Sequence, residues 1–103
     1  MDIEFDQEKW DKTLQKRWLD YARAGEILAG PIMTERDIRI NYGESRFMTL
    51  GYLDGRMVVL VWTPRGNNRR IISMRYANER EKNKYEKYLG WSGWRTGINW
   101  RFF

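Results

Sequence analysis

One hairpin signal constrains the fold of this chain more than any other feature of its sequence. The pair Asp54-Gly55 lies between two runs rich in β-branched, aromatic and apolar residues, 46–53 and 57–63. An Asp-Gly pair favours a tight two-residue turn, because both central residues of such a turn take positive φ. The run 57–62 is apolar at every position, so both of its faces require burial. We therefore predict an antiparallel hairpin whose second strand is central in a sheet.

The segment before this hairpin has the pattern of helices. Asp6 can cap a helix that runs to about Trp18, with Trp10 and Leu14 completing an apolar stripe of period four. Asp20 can cap a second helix, which Gly30-Pro31 ends. Its apolar side chains share one face: Tyr21, Ala24, Ile27 and Leu28. A short edge strand is predicted at 3–5.

The segment after the hairpin predicts one more strand and one more helix. A turn at 64–68 leads into a strand at 69–75. Side chains alternate along a strand, so Ile72 and Met74 are predicted on one face, and the other face holds Ile71, Ser73 and Arg75. Asn78 caps the last helix, with Glu81 in the capping-box position. The result is an α+β fold: N-terminal helices, an antiparallel sheet of three to four strands, and a C-terminal helix. Residues 1–89 are predicted to form one domain, and 90–103 an extension of it.

Composition excludes several kinds of site and segment. The chain has 103 residues and contains neither cysteine nor histidine, so disulfides, thiolate metal sites and a histidine base are excluded. No cofactor is predicted. No window is long and apolar enough to span a membrane, and the acidic start does not resemble a secretory signal. We therefore expect a cytoplasmic protein that does not contact a membrane.

Positive charge is concentrated in the second part of the chain. Residues 1–30 hold seven acidic and five basic residues, whereas 31–103 hold seven acidic and fourteen basic ones. The segment 56–76 contains five arginines and no acidic residue: Arg56, Arg65, Arg69, Arg70 and Arg75. We predict that these guanidinium groups converge on one exposed sheet surface and bind a polyanion such as nucleic acid. A solvated basic face and an acidic protein partner are the alternatives.

The C-terminal tail combines large aromatic rings with arginine. It holds Trp91, Trp94, Trp100, Phe102 and Phe103 beside Arg95 and Arg101. Rings this numerous need cover, because exposed aromatic patches promote association. The tail is expected to pack back over the sheet, to form a homodimer contact, or to stack on bases.

An ordered set of short motifs resembles the BrnT family of ribonuclease toxins, which are RelE-like proteins of type II toxin–antitoxin systems. The motifs are a G-E-x-R entry at 43–46, a T-x-R-G turn at 63–66, an R-I-I-S-x-R strand at 70–75, and an E-x-x-x-Y-E helix at 81–86. The resemblance covers about 3–88 and leaves out the tail.

The resemblance implies a RelE-like fold and an endoribonuclease that cleaves messenger RNA without a metal. It also implies a cognate, DNA-binding antitoxin as the protein partner, and RNA as the substrate. Members usually carry Lys-His-Gly at the end of the first helix, whereas this chain has Lys16-Arg17-Trp18. The alternative is therefore a non-catalytic protein that binds nucleic acid or an acidic partner. A third hypothesis is a regulator that inhibits another protein through the tail.

Metal-free RNA cleavage requires that the 2′-OH lose a proton and that charge on the phosphate be offset. Arginine offsets that charge well, because its planar fork binds two phosphate oxygens and stays protonated. The predicted catalytic residues are Arg75, Arg65, Lys16, Arg17 and Tyr85. The predicted RNA-binding residues are Arg46, Arg69, Arg70 and Thr63. Glu44 and Glu81 join Lys16 and Tyr85 as candidates for proton transfer. A cation at a helix C-terminus also has a purely structural explanation, and ion pairs to Glu44 or Glu79 could equally account for the arginines.

Overall fold

The computed structural model describes residues 2–38 and 43–89. Over these residues it shows an α+β fold with three helices and a mixed sheet of five strands, rather than the predicted three to four. The strands are β1 (Asp2–Phe5), β2 (Ile32–Arg36), β3 (Phe47–Leu53), β4 (Arg56–Arg65) and β5 (Asn68–Tyr76). The helices are α1 (Gln7–Arg17), α2 (Ala24–Ala29), which a 3₁₀ turn at Tyr21–Arg23 precedes, and α3 (Glu79–Leu89). The predicted roles of the tail lie outside the described residues.

The sheet has the order β1-β5-β4-β3-β2, with β1 parallel to β5 and every other pair antiparallel. The central position of β4 confirms the prediction made from its unbroken apolar run. The strand that the sequence prediction missed is β2, which directly follows the Gly30-Pro31 stop. Asp54 and Gly55 have φ of 52° and 76°, so the predicted hairpin closes through a turn with two positive φ values.

Two cores lie on opposite faces of the sheet. On the α2 face, Ile27 and its neighbours pack against Val58, Leu60, Ile71 and Met74. The approach is close at Gly51, where an added Cβ would lie 2.8 Å from Cγ2 of Ile27. On the α3 face, the buried set is Met33, Leu50, Met57, Val59, Val61, Ala77 and Tyr85.

A bulge in β5 overturns the predicted alternation of that strand. Ser73 is opposite Val61 and Ile71 is opposite Trp62, so Ile72 has no partner position on β4. The extra residue rotates the strand, and Ile71 and Met74 therefore share the α2-face core. The predicted apolar stripe of α1 is also only partly correct. Trp10 packs against the core, but Trp18 is 82% exposed and lies one residue beyond the helix.

In the described part of the chain, no helix is both long and apolar enough to cross a membrane.

Candidate nucleic-acid interface

Four cations lie along one side of α1. The four are separated by three, four and one positions along the chain: Lys9, Lys12, Lys16 and Arg17. Because an α-helix has 3.6 residues per turn, this spacing places them on a single face, which also holds Thr13. The acidic residues of the helix, Glu8 and Asp11, fall outside that face. Asp6 begins the helix, since its Oδ1 accepts the backbone N–H of Lys9 at 3.1 Å.

The positively charged face of α1 lies beside the open edge of β5. β1 pairs with β5 only as far as Ile71, so the outer edge of β5 beyond that residue has no strand partner. Side chains of α1 bind it instead. Nζ of Lys9 donates to the carbonyl of Ile72 at 3.4 Å, and Nη1 of Arg17 donates to the carbonyl of Met74 at 3.2 Å. The helix is thereby held against the sheet edge.

Between α1 and β5 lies an open groove of about 300 Å³, which we call the α1–β5 groove. Its walls carry the four cations together with Thr13, Tyr21, Ile72 and Ser73. Among the residues that the structure describes, none of the four cations has a carboxylate oxygen within 4.0 Å. Within the described residues their charge is therefore not neutralised by a nearby carboxylate, which favours the binding of an anion.

The five arginines of segment 56–76 do not converge on one surface of the sheet, so the prediction that they do is wrong. Arg65, Arg70 and Arg75 lie on the α3 face, where Arg75 is opposite Val59 and Arg70 is opposite Thr63. Arg56 and Arg69 lie on the α2 face, where their guanidinium groups stand 3.7 Å from the Tyr76 ring centroid and 5.0 Å from that of Trp62. Side chains alternate along a strand, and the bulge changes the alternation once more, so five arginines on two strands face both ways.

Carboxylates accompany the arginines of the α3 face. Arg75 makes two hydrogen bonds of 2.7 Å to the two carboxylate oxygens of Glu81. Glu44 lies 3.2 Å from Nε of Arg46 and 3.6 Å from Nη2 of Arg65. These ion pairs offset the charge that the sequence prediction assigned to phosphate binding.

Arg70 pairs with Glu4 at 3.4 Å in the same way. A hydrogen bond from Asn68, and then one from Arg70, lowers the pKa of the Glu4 carboxyl below its ordinary value. The strand pairing of β1 with β5 places Glu4 directly opposite Arg70. The pair therefore belongs to the parallel edge of the sheet.

The Arg75–Glu81 pair also belongs to the start of α3. Oε1 of Glu81 accepts the backbone N–H of Asn78 at 2.9 Å, and Oδ1 of Asn78 accepts the backbone N–H of Glu81 at 2.8 Å. This confirms the predicted capping box. Arg75 therefore links the helix start to β5, which favours a structural ion pair for this residue. The carboxylate that it binds is Glu81, whereas the sequence suggested Glu44 or Glu79.

Two predicted site residues are buried, which corrects their assignment. Tyr85 is fully buried in the α3-face core, where its hydroxyl donates to the carbonyl of Pro31 at 2.8 Å. Burial raises the pKa of this phenol to about 12, away from the range useful for proton transfer. Thr63 is 1% exposed and donates to the carbonyl of Ser45 at 2.7 Å, so it cannot contact RNA.

Two of the predicted site residues, Lys16 and Arg17, line the α1–β5 groove. Lys9 and Lys12 also line it, and the sequence prediction missed both of them. The signal that could have found them is the helical spacing of basic residues within 9–17. Within residues 2–38 and 43–89, no group of three histidine, cysteine, aspartate or glutamate side chains is arranged to hold a metal ion.

Comparison with known proteins bears on this geometry. A family model described as the ribonuclease toxin BrnT of type II toxin–antitoxin systems matches residues 5–81. These residues include α1, α2, the four strands β2 to β5, the last residue of β1 and the start of α3. No curated protein matches the chain. Since the match covers most of the sequence, the chain belongs to the BrnT family of ribonuclease toxins of type II toxin–antitoxin systems.

Proposed function

We propose that this protein is an endoribonuclease that cleaves messenger RNA in the α1–β5 groove without a metal ion. The observation that carries the proposal is the set of four cations in the groove, with no carboxylate paired to any of them among the described residues. Four uncompensated charges along one wall match the repeating charge of a single RNA strand. A divalent cation prefers oxygen ligands with negative charge, which this wall does not offer.

The chemistry required of the groove is mainly electrostatic. A phosphodiester that is attacked by its neighbouring 2′-oxygen gains negative charge on its equatorial oxygens in the transition state. Lys16 and Arg17 are positioned to offset that charge, while Lys9 and Lys12 hold the flanking phosphates. Fixing the scissile phosphate also favours the in-line arrangement of attacking and leaving oxygens.

The reaction proceeds by transesterification within the RNA. The 2′-oxygen loses its proton to water and forms a bond to phosphorus, and the bond from phosphorus to the 5′-oxygen breaks. The departing 5′-oxygen takes up a proton from water, so that no proton is gained or lost overall. The products are a 2′,3′-cyclic phosphate and a 5′-hydroxyl. Of the four candidates for proton transfer, Lys16 lines the α1–β5 groove. The other three lie elsewhere: Glu44 and Glu81 form ion pairs with arginines, and Tyr85 is buried in the core.

A protein antitoxin would restrain this activity in the cell, as family membership implies. We propose that the cognate antitoxin also binds DNA and that toxin and antitoxin act in the cytoplasm, where messenger RNA is translated. An antitoxin that blocks cleavage must deny RNA access to the α1–β5 groove, either by covering it or by closing it.

The decisive experiment incubates purified protein with a 5′-labelled oligoribonucleotide in EDTA. We expect fragments that end in a 2′,3′-cyclic phosphate, and no fragments from the matching 2′-O-methyl oligonucleotide, since its 2′-oxygen cannot attack. The double variant Lys16→Gln/Arg17→Gln is expected to lose cleavage by at least 100-fold, whereas Lys82→Gln/Lys87→Gln on α3 is not. Intact RNA at high concentrations of folded wild-type protein would contradict the proposal.

One observation favours a second candidate, an RNA-binding protein without catalytic activity. Arg17 stands where relatives usually have histidine, and its guanidinium already donates to the carbonyl of Met74. A guanidinium that stays bound to the strand holds phosphate but does not accept a proton. Binding of the 2′-O-methyl oligonucleotide together with no cleavage of the cleavable one would identify this candidate.

A further inference from the structure

Trp18 has an unusual conformation for a large exposed residue. It follows the last residue of α1 with φ 59° and ψ 29°, in the left-handed region that residues with a Cβ rarely adopt. Its side chain is 82% exposed, so burial in the core does not compensate for that backbone conformation. Folding alone gives no reason for tryptophan at this position, because glycine would suit the backbone better.

The backbone holds Trp18 in a fixed place from both sides. Its N–H donates to the carbonyl of Leu14 at 3.1 Å, which completes the last turn of α1. The next residue, Leu19, is 2% exposed and packs in the α2-face core. The indole therefore extends into solvent from a rigid position, which reduces the entropy that binding would cost.

Trp18 directly follows two cations of the groove along the chain. Lys16 and Arg17, the two residues before Trp18, both line the α1–β5 groove. A single-stranded nucleic acid that places its phosphates along these cations carries its bases outside the phosphate track. An exposed aromatic ring at the end of such a track is the arrangement that stacks on a base.

We propose that Trp18 is a stacking platform for a nucleobase of the single-stranded RNA that the groove binds. The groove cations bind the phosphates, and the indole binds one unpaired base at the end of the groove. This inference rests on the proposed function in that RNA is the ligand, but it concerns binding and does not require cleavage. A double-stranded RNA would bind poorly here, because its bases are not free to stack on the ring.

The test measures binding to 2′-O-methyl oligonucleotides, which cannot be cleaved, by fluorescence anisotropy of an end label. One probe is an oligoadenylate of eight nucleotides, and the other is an abasic strand of equal length. Trp18→Gly is compared with Trp18→Phe, which keeps a ring. Ile38→Ala is the matched control, because Ile38 is also 82% exposed but follows β2, the strand at the opposite edge of the sheet from β1.

We expect Trp18→Gly to bind oligoadenylate about tenfold more weakly, which corresponds to about 1.4 kcal/mol. Its affinity for the abasic strand should equal that of the wild type. Trp18→Phe and Ile38→Ala should stay within about threefold of the wild type for both probes. The Tm of Trp18→Gly should rise by about 4 °C, because glycine relieves the left-handed backbone. A loss of affinity in a more stable protein cannot result from misfolding.

Equal affinity of Trp18→Gly and wild type for oligoadenylate would overturn the inference, as would an equal loss for both probes. If Trp18→Gly changes the self-association of the protein in sedimentation but not its RNA binding, the indole forms a contact between copies of the chain. That result would also overturn the inference. The proposed function is judged separately. Wild-type protein that does not cleave ordinary RNA contradicts that function, while the difference between the two probes still decides the role of Trp18.

Discussion

Removing charge from the α1–β5 groove should change the salt dependence of RNA binding by a calculable amount. Four cations line the groove, and each phosphate neutralised on a single strand contributes about −0.7 to the slope of log affinity against log salt. If each cation meets one phosphate, the wild-type slope is about −2.8. Affinity then falls about 50-fold between 50 and 200 mM salt. Lys12→Gln/Lys16→Gln should halve the slope to about −1.4 and reduce the same fall to about sevenfold.

The matched control is Lys82→Gln/Lys87→Gln, which removes the same charge from α3, a helix that packs on the other face of the sheet. Its slope should equal that of the wild type, and only a small uniform loss of affinity should follow from the lower net charge. The measurement is anisotropy of a labelled 2′-O-methyl oligonucleotide at five or more salt concentrations. Equal slopes for the two double variants would refute the argument, because RNA would then respond to total charge rather than to the groove.

Three further predictions concern residues that lie outside the α1–β5 groove. Gly51→Ala should lower the free energy of unfolding by about 1–3 kcal/mol, because the new Cβ would meet Ile27, and a urea titration measures the change. Glu81→Ala should lower the free energy of unfolding by about 2 kcal/mol, and by more than Arg75→Ala does, because it removes both the ion pair and the helix cap. If Arg75→Ala alone abolished RNA cleavage, that arginine would instead be assigned to RNA binding. Tyr85 has a pKa raised from 10.0 to about 12, so its protonated form stabilises the fold fully below pH 10, and this contribution is lost as pH rises towards 12. Thermal melts across that range should show a steeper decline for wild type than for Tyr85→Phe.

The sequence predicted the elements whose signals are local. The Asp54-Gly55 turn, the central apolar strand and the capping box of α3 each depend on a few adjacent residues, and each is confirmed. The strand β2 was missed because Ile32–Arg36 has only five residues, of which only Ile32 and Met33 are apolar. The bulge at Ile72 was missed because a bulge follows from the pairing of β5 with β4, which sequence alternation does not record.

The site was harder to predict, because charge counted along the chain differs from charge gathered in space. The block 56–76 holds five arginines without an acid, yet its alternation divides them between two faces and carboxylates from distant segments pair with those of the α3 face. Residues 1–30 have an acidic balance, but the helical turn separates Lys12 and Lys16 from the acids beside them in sequence. The periodicity of charge on a predicted helix was therefore a better guide than the density of arginine.

The groove owes its existence to the short length of β1. A longer β1 would pair with β5 beyond Ile71, and the carbonyls of Ile72 and Met74 would then face a strand rather than α1. Because β1 ends at Phe5 and Asp6 caps a helix at once, the chain turns beside the open edge and supplies side-chain donors to it. Lys9 and Arg17 satisfy that edge and hold the helix in place, while Lys12 and Lys16 lie between them and make no ion pair among the described residues. One edge of the sheet is thus protected from pairing with another chain, and the same contacts fix the spacing of the cations that we propose to bind RNA.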